Sequence, residues 1–248
     1  MEDGKLTVRA VERALDILLV FTQHGSLGLT EIAEKVGLHK STVHRLLASL
    51  EGKGFLVRDA VTEKYRLGFR VWELSAQLAG QSDDPATLLL PEMERLRDLV
   101  GETISLYIRE GSERIRIQAV QSNQAIRRVA PIGARLPLYV GASSKVLLAF
   151  ADDEVRDRIM NDAAWPESVD RGAFLAQLAD IRRLGYATSV EEREPGAAAV
   201  SAPIMNNSGR LAAALAVSGP SNRLHLEMMR DIAPQVMETA SRMGKMLK

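Results

Sequence analysis

Cysteine is absent from the 248 residues, which removes disulfides, thiolate metal sites, CxxC redox chemistry and thiol nucleophiles together, and suits a reducing compartment. No charge of either sign is in excess, since 32 Lys and Arg offset 32 Asp and Glu, so any electrostatic asymmetry must be local. Long apolar runs are missing too. The longest, 17–21, 146–151 and 211–217, fall well short of the ~20 residues that a bilayer span needs. The opening Met1-Glu2-Asp3-Gly4-Lys5 carries acids with no apolar run behind them, so no secretory signal is expected. With 46% hydrophobic and 26% charged residues, the expectation is a cytoplasmic globular protein of two compact domains or one large one.

Histidine is scarce as well: His24, His39 and His44 lie in the first fifth of the chain and only His225 lies beyond. A Ser-His-Asp hydrolase in the later region would depend on His225, just before a long surface-type helix, and no GxSxG motif is present. His39 and His44 stand at i, i+5, poor geometry for two metal ligands on one helix face. Gly141-Ala142-Ser143-Ser144-Lys145 lacks the GxxxxGK[ST] spacing of a phosphate loop and reads as a tight turn feeding a helix, whose N–H groups can still meet an anion. Glu191 and Glu192 alternate across a strand end and do not form an acid–base pair. Neither enzymatic activity nor a metal or cofactor is expected.

The pattern changes at the polar stretch 80–85, which is the expected boundary. Before it, 8–23 predicts a helix with Val11, Leu15, Leu18 and Leu19 inward, and Thr30 stands as N-cap of a helix over 31–36 that Gly37 ends. A third helix over about 40–51 turns Val43, Leu46, Leu47 and Leu50 inward, and the apolar runs 55–57 and 65–67 flank a polar turn as a hairpin. This is the order of a winged helix-turn-helix, predicted for 1–68. Residues 69–82 form a linker helix whose stripe Val71, Leu74 and Leu78 can serve a dimer contact. Residues 83–248 predict an α+β domain with a mostly antiparallel sheet. It opens with a helix through Leu88, Met93, Leu96 and Leu99, broken or restarted at Pro91. Strands follow at 103–109, 114–121, near 125–130, just before Gly141, and at 186–190, 198–203 and 211–218, and the final helix, 226–246, carries Pro234 as an expected kink.

A helix that reads DNA offers donors and acceptors near its N-terminus and cations to phosphate beside them. The outward face of the third helix, Lys40, Ser41, Thr42, His44 and Arg45, has those residue types, and the wing adds Arg58, Lys64 and Arg66. From His39 to Arg66 six Lys and Arg stand against three acids, +3 in a chain whose total is zero. For any single cation a solvated surface is the better reading; the ordered set points to double-stranded DNA. The competing reading is a small-molecule sensor that uses its winged helix for protein contacts, and steep salt dependence of binding to random duplex DNA would separate the two.

Three ordered blocks resemble the IclR family of bacterial transcriptional regulators over nearly the whole chain. They are 29–47 with Tyr65-Arg66-Leu67-Gly68, 133–149, and 185–220 with Glu191-Glu192-Arg193-Glu194-Pro195-Gly196, Ser201-Ala202-Pro203 and Ser218-Gly219-Pro220. The stretch 192–203 also resembles an actinobacterial branch linked to amino-acid biosynthesis. The resemblance implies a GAF-like effector domain, a small organic acid effector, and self-assembly as a dimer or dimer of dimers on a palindromic operator. It implies effector contacts at Ala142, Ser143, Ser189, Ala199, Ala216 and Ser218. Independently, Ala216 and Ser218, two apart on a strand, share a face. Members that bind small oxoacids carry a carboxylate, a thiol and a hydroxyl where this chain has Ser189, Ala199 and Ala216, so a larger or more apolar acid is expected. On the strand expected near 125–130, Arg128 or Arg127 can face inward as a carboxylate clamp; the pleat excludes both, and a surface arginine is the other reading. Arg45→Ala is expected to weaken DNA binding by about 1–3 kcal/mol if the side chain reads a base, and by less if it touches phosphate alone. An unchanged affinity in a titration with the chain's DNA site would remove the third helix from the interface.

Overall fold

The computed structural model describes residues 7–79, 84–127 and 131–247, and the chain divides into two compact units, Met1–Ser82 and Asp83–Lys248. The first holds α1 (Arg9–Val20), α2 (Leu29–Val36), α3 (Lys40–Gly52), the antiparallel hairpin of β1 (Leu56–Arg58) and β2 (Tyr65–Leu67), and α4 (Phe69–Ala79). Its core joins Ile17 and Phe21 to Ile32, Val43, Leu47 and Leu56. The inward face of α1 differs from expectation: Ile17 is buried with Ala14 and Leu18 against it, while Val11, Leu15 and Leu19 are exposed. The helix carries two apolar stripes, and periodicity alone does not choose which one meets α2 and α3. The start of α2 also differs. Its N-cap is Gly28, not Thr30, because the Glu31 carboxylate accepts the Gly28 N–H at 2.7 Å. That hydrogen bond, with Lys64 nearby, holds the Glu31 carboxyl below the usual range.

The wing is anchored beyond its own two strands. Leu27 and Tyr65 exchange backbone hydrogen bonds of 3.0 and 2.8 Å, tying the hairpin to the turn before α2. At its base Gly68 donates to the Phe55 carbonyl at 2.7 Å, and a Cβ at 68 would drive into the Gly54 carbonyl oxygen.

The second unit opens with α5 (Pro85–Leu88) and α6 (Leu90–Val100), with Pro91 in the first turn of α6, where its missing N–H costs no hydrogen bond. Leu99 is exposed rather than inward. There follow β3 (Thr103–Glu110), β4 (Glu113–Val120), β5 (Arg135–Pro137), α7 (Ala142–Ala149), α8 (Asp153–Met160), α9 (Arg171–Leu184), β6 (Ala187–Val190), β7 (Ala197–Met205), β8 (Leu211–Pro220) and α10 (Leu226–Lys245), which continues through Pro234. Six strands form one sheet in the order β5-β4-β3-β8-β7-β6, every neighbouring pair antiparallel. No strand forms at 125–127, and 128–130 lie outside the described residues. The polar groups there go to side chains: the Ile126 carbonyl accepts from Arg223 at 2.9 Å and the Gln124 carbonyl from Arg127 at 3.3 Å.

Strand alternation gives the sheet two different faces. Ile104, Leu106, Val200, Leu215 and Val217 pack against α6 and α10 through Met93, Leu96, Met229, Val236 and Met243. The opposite face is small and part polar, with Ser105, Ser201, Ala214 and Ala216 buried on the side of α7 and α9. Two buried acids tie the outer elements in. Glu102 receives Arg223 at 2.6 and 3.0 Å, which holds that guanidinium above its usual pKa, and Glu92 takes Arg242 of α10 at 3.1 Å. Among the described residues no helix is long and apolar enough to cross a membrane. Gly68→Ala is expected to destabilise the first unit by about 2–3 kcal/mol through the clash at Gly54. Urea unfolding followed by circular dichroism checks this; a midpoint unchanged from wild type contradicts the close approach.

Candidate functional site

In the second unit the sheet's small face and the start of α7 enclose a cleft. Its deepest charge is Arg114, which alternation on β4 turns beneath α7 while Ile115 faces away; the guanidinium side chain is 3% exposed. Arg114 Nη1 lies 2.7 Å from Ser144 Oγ, 2.9 Å from Ser143 Oγ and 3.2 Å from the Val140 carbonyl. Ser144 Oγ in turn donates to the Pro137 carbonyl at 2.8 Å. The Tyr107 ring lies between two arginines, with Arg114 at 5.1 Å and Arg116 at 5.2 Å from its centroid, and its hydroxyl accepts from Arg116. Gly141, just before α7, has φ 89°, and a Cβ there would meet both Nη atoms of Arg114 at 3.2 Å.

The cleft has a volume of about 440 Å³ counted out to its mouth, of which about 40 Å³ is open to the centres of water molecules. Ala142, Ser143, Ser189, Ala199, Ala216 and Ser218 all line it, so six of the seven expected effector positions come together. The seventh, Arg128, lies outside the described residues. Its neighbour Arg127 is exposed and bonded to Gln121 and Gln124, so it is no clamp; the cations that line the cleft are the buried Arg114 and the half-buried Arg193. Ser218 lines the cleft, and its Oγ is buried with no hydrogen-bond partner among the described residues. At the rim, Glu192 accepts from the Gly141 N–H at 3.1 Å and from Lys145 Nζ at 2.5 Å, while Lys145 also donates to the Thr188 carbonyl.

Sequence reasoning missed Arg114, Tyr107 and the Lys145–Glu192 pair as parts of the site. One signal was available: Arg114 and Arg116 stand two apart, alternating with Ile115 and Ile117, two cations on one strand face. The arrangement favours an anion at the α7 end, where backbone donors and Arg114 converge, and a hydrogen-bonding group at Ser218.

In the first unit, Lys40, Ser41, His44 and Arg45 are exposed on α3 and Thr42 is half-buried, opposite the buried Val43, Leu47 and Leu50. His39 caps the helix: its Nδ1 accepts the Ser41 N–H at 3.4 Å and lies 2.8 Å from Ser41 Oγ. On the wing Arg58 pairs with Glu63 at 2.7 Å and Lys64 with Glu31 at 3.9 Å. Lys40, Arg45 and Arg66 have no ion-pair partner among the described residues. The wing turn is organised by Asp59, whose carboxylate accepts from Thr62 N–H at 2.7 Å, Thr62 Oγ1 at 2.8 Å and Val61 N–H at 3.1 Å. Those donors hold the Asp59 carboxyl below its ordinary range. No group of His, Asp and Glu side chains among the described residues is placed to hold a metal ion.

A helix-turn-helix with an exposed basic face, joined in one chain to a sheet domain with a polar cleft, defines a DNA-binding regulator with a sensor unit. Residues 10–60 match the family described as IclR helix-turn-helix domain, and 81–244 match the family described as bacterial transcriptional regulator IclR C-terminal. The chain belongs to the IclR family of bacterial transcriptional regulators. It is 32% identical to the HTH-type transcriptional regulator BhcR of Paracoccus denitrificans over 94% of this chain and 85% of that one. It is 30% identical to the HTH-type transcriptional regulator XynR of Escherichia coli over 97% of each chain. An IclR transcriptional regulator from Alicyclobacillus acidocaldarius superposes with a TM-score of 0.83 at 25% identity, covering 98% of this chain and 100% of that one. An IclR homologue from Microbacterium hydrocarbonoxydans, solved with 4-hydroxybenzoate, gives 0.80 at 26% identity over 96% and 98%. These relatives are regulators, and the chain is a transcriptional regulator rather than an enzyme.

A carboxyl with a lowered folded pKa contributes order that is complete above its unfolded pKa, about 3.9, and is lost as pH falls through the lower folded value. The Val61 and Thr62 amides are therefore expected to keep their hydrogen-bonded NMR shifts near pH 5 and to lose them only below about pH 3.9. Asp59→Ala is expected to show the released shifts throughout. A midpoint at or above the ordinary value contradicts the wing's dependence on this carboxylate.

Proposed function

We propose that the chain is a ligand-responsive regulator that binds a palindromic operator as a homodimer or dimer of dimers, with a small organic acid in the α7 cleft. On this reading residues 1–68 hold DNA, 69–82 link the units and 83–248 sense the effector, in the cytoplasm, where a chain without cysteine loses nothing. The observation that carries it is the meeting of Arg114, the α7 N-terminus and the unpartnered Ser218 hydroxyl in one cleft walled by Ala199 and Ala216. A carboxylate meets the first two and a second polar group meets the third. A tiny, doubly polar oxoacid, too short to reach both ends, would leave oxygens facing alanine, at a cost of about 1–3 kcal/mol for each unsatisfied group. The Microbacterium hydrocarbonoxydans homologue's aromatic acid supports an effector with an apolar body.

Lys40, Ser41, Thr42, His44 and Arg45 then read the major groove, and Arg58, Lys64 and Arg66 meet the backbone or minor groove. A separate observation supports the homodimer. Val8, Val11, Leu15 and Leu19 form a stripe along α1, 53–65% exposed, and α4 leaves Phe69, Trp72 and Leu74 outward as well. Val71 is half-buried, and the Leu78 side chain, expected on the same stripe, lies outside the described residues. Apolar rows of this kind call for another helix, and a second copy matches a two-fold operator.

Thermal shift tests the effector. Aromatic or branched-chain acids are expected to raise the melting temperature more than glyoxylate or pyruvate, and Ala199→Phe is expected to abolish the shift without affecting DNA binding. An equal shift with glyoxylate defeats the size argument. Val11→Glu with Leu15→Glu is expected to give a monomer in sedimentation that has lost tight operator binding; a dimer unchanged by the pair would rule out the α1 stripe.

A further inference from the structure

We propose that Glu192 is a built-in competitor for the anion end of the cleft, which an acidic effector must displace, releasing the loop of residues 191–196. The inference rests on the effector reading above and concerns how that site is controlled. Glu192 lines the same cleft as Arg114, Ser143 and Ser218. Its two oxygens take Lys145 Nζ at 2.5 Å and, at 3.1 Å, the N–H of Gly141, which lines the cleft just before α7, where a carboxylate would arrive. Two carboxylates on one set of donors repel, so retention of Glu192 and binding of an acid oppose each other. The unpartnered Ser218 hydroxyl, 6% exposed, marks the space as built for something other than Glu192, which leaves it unsatisfied.

Size points the same way. The volume open to water centres is about 40 Å³, roughly three waters' worth, whereas an acid with an aromatic or branched body needs several times that. Most walls cannot yield: Ala142, Ser143, Ala198 and Ala216 sit on buried segments of α7, β7 and β8. The loop can. It is exposed and turns through Glu191 at φ 56° and Gly196 at φ 75°, so a non-glycine residue is held in the left-handed region. Its outer hold comes from Ser221, whose Oγ donates to Glu191 at 2.8 Å and whose N–H donates to the Gly196 carbonyl at 2.9 Å. The Glu192 contacts are the inner hold, and these are the ones an acid replaces. Effector charge is thereby converted into loop release.

The test is calorimetric titration of the full chain with benzoate and with its neutral counterpart benzamide. Glu192→Ala is expected to bind benzamide about tenfold more tightly than wild type if the latched loop makes up all but about a tenth of the population, and benzoate by more than that, since it also escapes the carboxylate's repulsion. Glu192→Gln, which keeps the shape and one acceptor but loses the charge, is expected to fall between and guards against misfolding of the alanine variant. In wild type, hydrogen exchange across 191–196 is expected to quicken when benzoate binds. Benzoate binding that is weaker or unchanged in both variants, or exchange that slows on binding, overturns the competitor. Wild type that binds benzoate while the variants gain nothing defeats this inference alone. Failure of wild type and both variants to bind benzoate defeats the effector reading with it.

Discussion

A guanidinium cannot sit in a protein interior without acceptors, and Arg114 finds its acceptors on the few residues that start α7. That requirement organises the second unit. Ser143 and Ser144 must face β4, so α7 presents its first turn to the sheet, and Ser144 passes the connection on to Pro137 at the end of β5. Gly141 must be glycine both for its backbone conformation and because a Cβ would press on the guanidinium. The positions of β7 and β8 that line the cleft beside α7 are small, with Ala199, Ala216 and Ser218 among them.

Across the sheet the requirement is reversed. Leucine, valine and methionine fill the layer beneath α6 and α10, where no charge has to be satisfied except at the edges, by Glu92 with Arg242 and Glu102 with Arg223. The other face has an apolar core of its own beneath α7 and α9, and the cleft occupies part of that side. The first unit divides its labour. One side of α3 completes a small core with α1, α2 and Tyr65, and the other leaves cations to solvent, while Asp59 and Leu27 order the wing that carries the rest. Relatives matched over almost their full lengths share this two-unit plan at about 30% identity, which the plan tolerates because it depends on patterning and a few turn positions.

Much of the architecture was legible. The helix–helix–glycine–helix–hairpin order, the change near residue 80 and six of the seven expected cleft positions follow from period, punctuation and the family resemblance. The exposed set on α3 was legible for a simple reason: on a short helix with Val43, Leu47 and Leu50 inward, Lys40, His44 and Arg45 have nowhere to go but out. The strand expected near 125–130 does not form over 125–127, where the Ile126 carbonyl accepts from the Arg223 side chain instead of from a neighbouring strand. Of the two arginines expected there, Arg127 is bonded to Gln121 and Gln124, and Arg128 lies outside the described residues.

By itself the sequence determined the elements, their order and the small character of the cleft, since propensity, turn residues and alternation act over a few neighbouring positions. Tertiary structure decided whatever depended on a distant partner. On α1 two apolar stripes compete, and only packing against α2 and α3 buries Ile17 rather than Val11, Leu15 and Leu19. Arg114 reads as a surface cation on β4 until α7, some thirty positions later, covers it. Glu192 becomes part of the cleft because a chain reversal sets it against Gly141 and Lys145, 51 and 47 positions away. Burial of a charge is a property of what is brought over it, and no local pattern records that.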